Sequence, residues 1–328
     1  MIKSKPTISI IIPAYNVEKF LESALNSIKF QKELPDEIIL IDDGSVDATL
    51  KIAMDYDFSV PYTVLSVQNS GQGNARNLGL KYAVSDYVYF FDSDDLLTDN
   101  FIESIKIKIK QNQYPDILLF SGKSFNDREY KGSRVVDYSR GFSGFFYDRL
   151  KFLETAVYRK KFICSPCLYI SKRKIWREQE LSFGKNYYED EAIFYPLLFS
   201  CDNYLVIDEV FFLRRNREGS TMTMLLNEKH VNGMLDCMHK SLQLYSKPDI
   251  SVKERWFVSK RLEDQCVAYI LRARRANLKY SYFELLLASI KSKNPLIIIK
   301  STLYVLNVNN ISFVRYVVRI IRKKLFSL

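Results

Sequence analysis

What most constrains this chain is the alternation in its first ninety residues between short apolar runs and segments with helical spacing. Residues 8–12 (Ile-Ser-Ile-Ile-Ile), 37–41, 62–67 and 87–91 are brief runs rich in β-branched and aromatic side chains. Between them, residues 17–30 place Val17, Phe20, Leu21, Ala24, Leu25 and Ile28 on one helical face, and residues 47–56 and 74–83 suit further helices. Such runs are the mark of strands buried on both faces, and their alternation with amphipathic helices predicts βαβ units and a mostly parallel sheet. Ser45 and Asp47 suit capping of the second helix.

Beyond residue 116 the pattern loosens, with Gly122, Gly132, Gly141 and Gly144 dividing it into short strands and loops. Residues 150–158 and 190–199 read as helices, 204–213 as a strand, and from about 227 onward the chain reads as helical. We therefore expect an α/β domain over residues 1–220 and a helical, basic region over 221–328. The 328 residues suffice for one large core with an appendage. The five cysteines are scattered, and Cys164-Ser165-Pro166-Cys167 has no second half to complete a zinc site. Inert core thiols in a reducing compartment are the expectation.

In open α/β sheets ligands bind outside the carboxyl ends of the strands, and here all four ends carry polar residues. They read Pro13-Ala14-Tyr15-Asn16, Asp42-Asp43-Gly44-Ser45, the stretch from Asn69 to Asn77, and Asp92-Ser93-Asp94-Asp95. Three carboxylates leaving one strand end repel unless a cation joins them, and hard oxygen ligands suit Mg²⁺ or Mn²⁺. In a strand Asp92 and Asp94 would share one side; alternatively the turn is solvated and caps the next helix. Gly71-Gln72-Gly73-Asn74-Ala75-Arg76 is neither a dinucleotide fingerprint nor a phosphate-binding Walker loop. It reads as a turn into a helix N-terminus, with Arg76 available to a phosphate or base or engaged in a surface ion pair.

These four segments, in this order and spacing, resemble the inverting family-2 glycosyltransferases with the GT-A fold. The resemblance covers about the first hundred residues. It implies a Rossmann-like, mostly parallel sheet flanked by helices with a C-terminal helical extension. It also implies a nucleotide site at Pro13, Tyr15, Asp43, Arg76, Asp92 and Ser93, with Tyr15 stacked on uracil, Asp43 bonding its N3–H and Asp92 near the ribose. Asp94, with Asp95 beside it, would hold Mg²⁺ or Mn²⁺ and the diphosphate.

Tyr187-Tyr188-Glu189-Asp190-Glu191 precedes an apolar helix. An inverting transfer needs a general base for the acceptor hydroxyl, and the sequence resembles the acidic motif that supplies it in that family. Asp190 is the candidate and Glu189 the alternative, while capping of the helix is the structural reading. Arg214, Arg217 and Ser220 follow the last strand and suit diphosphate or acceptor contacts, against a solvated basic loop. His230 and His239 read as ordinary helix residues.

Charge is uneven. Residues 251–328 hold 16 Lys or Arg against 4 Asp or Glu, whereas the preceding 250 residues carry a net −2. Within 311–324, Arg315, Arg319 and Arg322 share a helical face opposite apolar residues, which suits an anionic membrane surface or docking onto the protein. No nucleic-acid motif accompanies the basic residues, no secretory signal opens the chain, and no apolar run reaches the ~20 residues that span a bilayer. The expectation is a cytoplasmic enzyme, peripheral at the inner face of the membrane. It would transfer a sugar from a UDP-sugar to a glycan acceptor, polyprenyl-diphosphate-linked, in bacterial capsule, O-antigen or exopolysaccharide synthesis. Two rivals are a sugar-nucleotide nucleotidyltransferase, which wants a Gly- and Arg/Lys-rich loop where Pro13–Asn16 stands, and a non-catalytic glycan-binding protein on the same fold.

Overall fold

A computed structural model describes residues 5–127, 136–217 and 225–305. They divide into two compact units, one built from the residues up to Lys185 together with those from Phe194 to Arg217, the other from Asn186–Ile193 and the residues from Leu225 onward. Ser220 and the basic segment 311–324 lie outside the described residues.

The first unit opens with β1 (Ile8–Ala14), α1 (Glu18–Lys29), β2 (Glu37–Asp42), α2 (Thr49–Asp55), β3 (Tyr62–Ser66), α3 (Gln72–Tyr82) and β4 (Tyr87–Phe90). Each apolar run is a strand because its β-branched side chains pack on both faces of a sheet. Ile8, Ile10, Ile11, Ile12, Leu40 and Ile41 are fully buried, as are Leu21, Ala24, Leu25 and Ile28 on the inner face of α1. At roughly 1.5–3 kcal/mol per buried large aliphatic side chain, these few residues anchor the domain. Asp47 does accept the Thr49 amide (3.0 Å), but its other oxygen takes the amide of Glu18 (3.2 Å), so it joins two helix starts.

Next come β5 (Leu96–Leu97), α4 (Phe101–Gln111), β6 (Ile117–Asn126), β7 (Asp137–Tyr138), β8 (Gly144–Phe146), α5 (Arg149–Tyr158), a 3₁₀ turn (Pro166–Leu168), β9 (Tyr169–Lys172), α6 (Arg173–Glu178), α7 (Glu189–Phe199) and β10 (Tyr204–Asn216). The sheet order is β3-β2-β1-β4-β9-β6-β10-β5, with β7 on β6 and β8 on β10. The β3-β2-β1-β4 half is parallel throughout, as the alternation predicts. β9 then runs antiparallel to both β4 and β6, so the sheet is mixed beyond that point. The segment 116–126, expected to be broken, is instead one ten-residue strand paired in parallel with β10. Arg140 is buried beside it and donates to the carbonyls of Phe120, Ile163 and Leu168 at 2.9–3.1 Å.

Register fixes where the polar ends fall. Ala14 lies opposite Asp42, so Tyr15 and Asp43 follow side by side. Ile11 lies opposite Phe90, which brings the residues after β4 to the same edge.

The second unit holds α8 (Glu228–Tyr245), α9 (Val252–Arg275), α10 (Tyr282–Lys291) and α11 (Leu296–Val305). Capping boxes start α8 at Asn227 with His230 and α9 at Ser251 with Glu254. Its own core gathers Met234, Met238, Leu262, Cys266, Ile270 and Leu285. His239 pairs with Glu284 at 2.9 Å. Among the described residues no helix is long and apolar enough to cross a membrane.

Candidate active site

At the ends of β1 and β2, Pro13 is buried whereas Tyr15 is 47% exposed, an aromatic face open to a ligand. The loop beyond it is tied down by Asn16, whose amide donates to Ser45 Oγ (3.0 Å) and whose Oδ1 accepts from Val46 N (2.9 Å). Asp42 and Asp43 are both buried. Asp42 accepts from Ser66 Oγ at 2.8 Å, and Asp43 takes the amides of Ser70 and Gly71, each at 2.8 Å. Asp42 thus holds the end of β3 and Asp43 the turn before α3; Asp43 Oδ1 also accepts from Ser70 Oγ (3.3 Å), so the second lone pair that remains is on Oδ2.

α3 begins after Gly71, whose φ of +95° few residues other than glycine adopt. Gly73 lies against the segment before α7: a Cβ there would stand 2.1 Å from the carbonyl oxygen of Gly184. Asn77 bonds the same segment twice, donating to Phe183 O (2.9 Å) and accepting from Phe183 N (2.8 Å). One turn along, Arg76 is buried, with its NH2 2.8 Å from Asp92 Oδ1 and its guanidinium 5.4 Å from the Phe183 ring. The ion pair foreseen for Arg76 exists, but it is internal rather than on the surface.

Residues 92–95 form a turn, not a continuation of the strand, closed by Asp95 N donating to Asp92 O at 3.2 Å. Asp92 and Asp94 are partly exposed while Ser93 and Asp95 point inward. Asp94 Oδ2 accepts from Arg217 Nε at 2.7 Å, and Asp95 Oδ1 accepts from the Arg215 amide at 2.7 Å. Burial, then the charges of Asp94 and Asp92, push the Asp95 carboxyl well above the usual carboxylate range.

The end of β10 brings the arginines to this turn. Arg214 donates to Tyr138 Oη at 2.5 Å. Arg215, which the sequence groups with Arg214 and Arg217 as a basic cluster suited to a diphosphate, binds the carbonyl of Asp94 (2.8 Å), Asp127 (2.8 Å) and Ser23 Oγ (3.0 Å). Arg217 lies with its guanidinium 5.0 Å from the Phe20 ring. Among the described residues, no group of three or more His, Cys, Asp or Glu side chains is arranged to hold a metal ion.

Glu189, Asp190 and Glu191 form the first turn of α7 and belong to the second unit. Carboxylates at that helix end are favoured by the aligned peptide dipoles. Glu189 is buried, whereas Asp190 is half-buried and accepts the Glu191 amide at 2.7 Å. Glu191 Oε1 accepts from Arg261 (2.7 Å) and from Gln265 (3.3 Å). Sequence reading missed Phe183 and Gly184; the signal was Gly73 and Asn77, small and polar residues facing inward from a helix with a weak apolar stripe.

A model of the family described as Glycosyl transferase family 2 matches residues 9–177. The minor teichoic acid biosynthesis protein GgaA of Bacillus subtilis is 29% identical over 71% of this chain and 55% of its own length. Glycosyltransferase GlyA of Streptococcus pneumoniae is 24% identical over 80% of this chain and 38% of its own length. The chain therefore spans about half or less of these two relatives. The solved structure of Staphylococcus aureus TarS residues 1–349 with UDP-GlcNAc superposes with a TM-score of 0.66 at 20% identity, covering 91% of each chain, which shows a shared fold.

Proposed function

This chain belongs to glycosyl transferase family 2, and we propose that it moves a sugar from a UDP-sugar to a hydroxyl of a surface-glycan acceptor in a single inverting displacement. The observation that carries this reading is the gathering of Tyr15, Asp43, the Arg76–Asp92 pair and the Asp94 turn at one sheet edge, facing Arg217. The complex of TarS with UDP-GlcNAc, a protein of the same fold, supports a UDP-sugar as donor.

In this reading the exposed Tyr15 ring stacks on the base, a contact that needs an open aromatic face. Asp43 acts partly through the Ser70–Gly71 turn it holds and partly through the second lone pair on its Oδ2. Arg76, buried and paired, fixes the angle at which Asp92 meets the ribose. Arg214 and Arg217 supply positive charge for the diphosphate, with Ser220 as a further contact.

The donor chemistry at Asp94 fits a divalent cation. Mg²⁺ is commonly held by one or two carboxylates plus substrate phosphates and water, so a cage of three protein ligands is not required. Asp94, with Asp95 behind it, would hold Mg²⁺ or Mn²⁺, and such an ion supplies neutralisation of the departing diphosphate. Asp95 is buried whereas Asp94 is partly exposed, which makes Asp94 the leading ligand.

The general base is Asp190. A base must reach the acceptor hydroxyl, and Asp190 retains exposure where Glu189 is buried. The acceptor is a lipid-linked glycan at the inner face of the membrane, approached through the basic C-terminal region. The relationship to GgaA and the charge carried by residues 251–328 support this.

A panel of UDP-sugars, assayed for UDP release with EDTA, Mg²⁺ or Mn²⁺, tests the reading. One donor turning over only with metal, and inversion at the anomeric carbon of the product, is the expected result. Retention of configuration, or release of pyrophosphate from UTP and a sugar phosphate, overturns it.

A further inference from the structure

Tyr188 has a φ of +66°. Most other non-glycine residues in the left-handed region sit just beyond the C-terminal end of a helix, namely Gln113, Tyr114, Lys160, Glu180, Asn277 and Lys293. There the left-handed conformation is an ordinary way to end a helix. Tyr188 instead immediately precedes the first turn of α7. Left-handed backbone is unfavourable for a bulky residue and persists only where its surroundings impose it.

Those surroundings are α8 and α9. Arg272 donates from Nε to Tyr188 Oη at 2.8 Å, and its guanidinium carbon lies 4.5 Å from the centre of the same ring. Cys237 Sγ donates to the Tyr188 carbonyl at 3.5 Å. The preceding carbonyl, that of Tyr187, rests on Gly233, where a Cβ would stand 1.8 Å from it. Asn186 donates to Asp236 at 2.8 Å, and the Tyr187 ring packs on His230 with centres 4.3 Å apart. Tyr188 is thus held at its side chain and its carbonyl, and the two residues before it are held as well.

We propose that Arg272 is a positioning residue for sugar transfer. It clamps the Tyr188 ring, keeps the backbone there left-handed, and so sets the direction in which Asp190 leaves the start of α7. The helices α8 and α9 then serve the chemistry although they hold no reacting group. The proposal rests on the reading of Asp190 as the base.

The test uses the full chain, the UDP-sugar identified by the panel, and UDP itself as a binding probe. Arg272→Ala is expected to lower kcat about tenfold or more, as misplaced catalytic groups do, with UDP affinity and donor KM changed by less than about threefold. A cycle with Tyr188→Leu is expected to show non-additive losses in kcat, because both changes release one clamp. Arg272→Lys, lacking the planar fork and stack, is expected to restore little. Unchanged kcat in Arg272→Ala, strictly additive losses, or a parallel fall in UDP affinity overturns the proposal. If Arg272→Ala does not fold, Tyr188→Phe removes only the hydroxyl: lowered kcat at unchanged KM supports the clamp, and unchanged kcat refutes it. Asp190→Asn is assayed alongside. Wild-type turnover in that variant refutes the base reading itself, whatever Arg272 does.

Discussion

Arg217 Nε lies 2.7 Å from Asp94 Oδ2, so an arginine delivered by the end of β10 holds the carboxylate proposed above as the cation ligand. The contact is partly exposed on both sides, and a pair of this kind exchanges partners at small cost. On the proposed reading, a metal ion at Asp94 would compete with Arg217 for this carboxylate, and a bound diphosphate would take up both charges.

It follows that Arg217→Ala has opposite effects on two ligands. The half-saturating Mn²⁺ concentration should fall, by about threefold to tenfold, and the donor KM should rise by about tenfold through loss of a charge-assisted contact. Metal titrations of UDP release at fixed and saturating donor measure both. A KM rise without any change in metal dependence would show that the pair does not gate the cation.

Asp95 predicts a pH effect. In the unfolded chain an aspartate ionises near about pH 3.9, whereas burial and the neighbouring carboxylates raise the folded value. A raised carboxyl contributes fully below the unfolded value, and the contribution is lost as pH climbs through the folded one. Asp95→Asn keeps an oxygen for the Arg215 amide and has no charge to bury. In EDTA its melting temperature should gain on the wild type progressively as pH rises above about 4. A gap independent of pH would show that Asp95 does not carry a raised pKa.

Gly73→Ala should be costly although it adds one methyl group to a helix. Its Cβ would meet the Gly184 carbonyl at 2.1 Å, so the segment 183–185 must shift. Overpacking of this kind costs about 1–3 kcal/mol, readable by urea unfolding, and it should loosen the Phe183 ring over Arg76.

Tyr15→Ala separates binding from folding. The side chain is 47% exposed, so stability should change by less than about 0.5 kcal/mol. On the proposed stacking, its loss should weaken UDP binding by about tenfold, or about 1.4 kcal/mol, within the range for a base on an aromatic side chain. Calorimetry with UDP and a thermal melt read the two effects independently.

The parallel half of the sheet was legible because its strands are apolar runs whose ends are marked by abrupt polarity, as at Ala14-Tyr15 and Phe91-Asp92. β6 was not, because Ser121, Gly122, Lys123 and Ser124 interrupt its pattern. Those residues pair along β10, a partner about ninety residues away that no local periodicity reports. The antiparallel insertion of β9 is equally non-local. At the site, residue types suggest a chemistry but do not give the orientation: Asp92 to Asp95 form a turn, and only the packing of Arg215 tells Asp95 from Asp94. Arg76 shows the same limit, since an arginine after a glycine-rich turn reads as a ligand contact until Asp92 and Phe183 close around it.

β5 pairs Leu96 with Leu213 and Leu97 with Phe212 directly after the acidic turn. One residue inserted into 92–95 would slide that pairing by a single step and reverse which side each leucine faces. The same slip would detach the Arg215 amide from Asp95. The turn therefore has a locked length: its side chains can be exchanged in place, whereas an added residue would cost the β5 pairing and the Arg215 contact together.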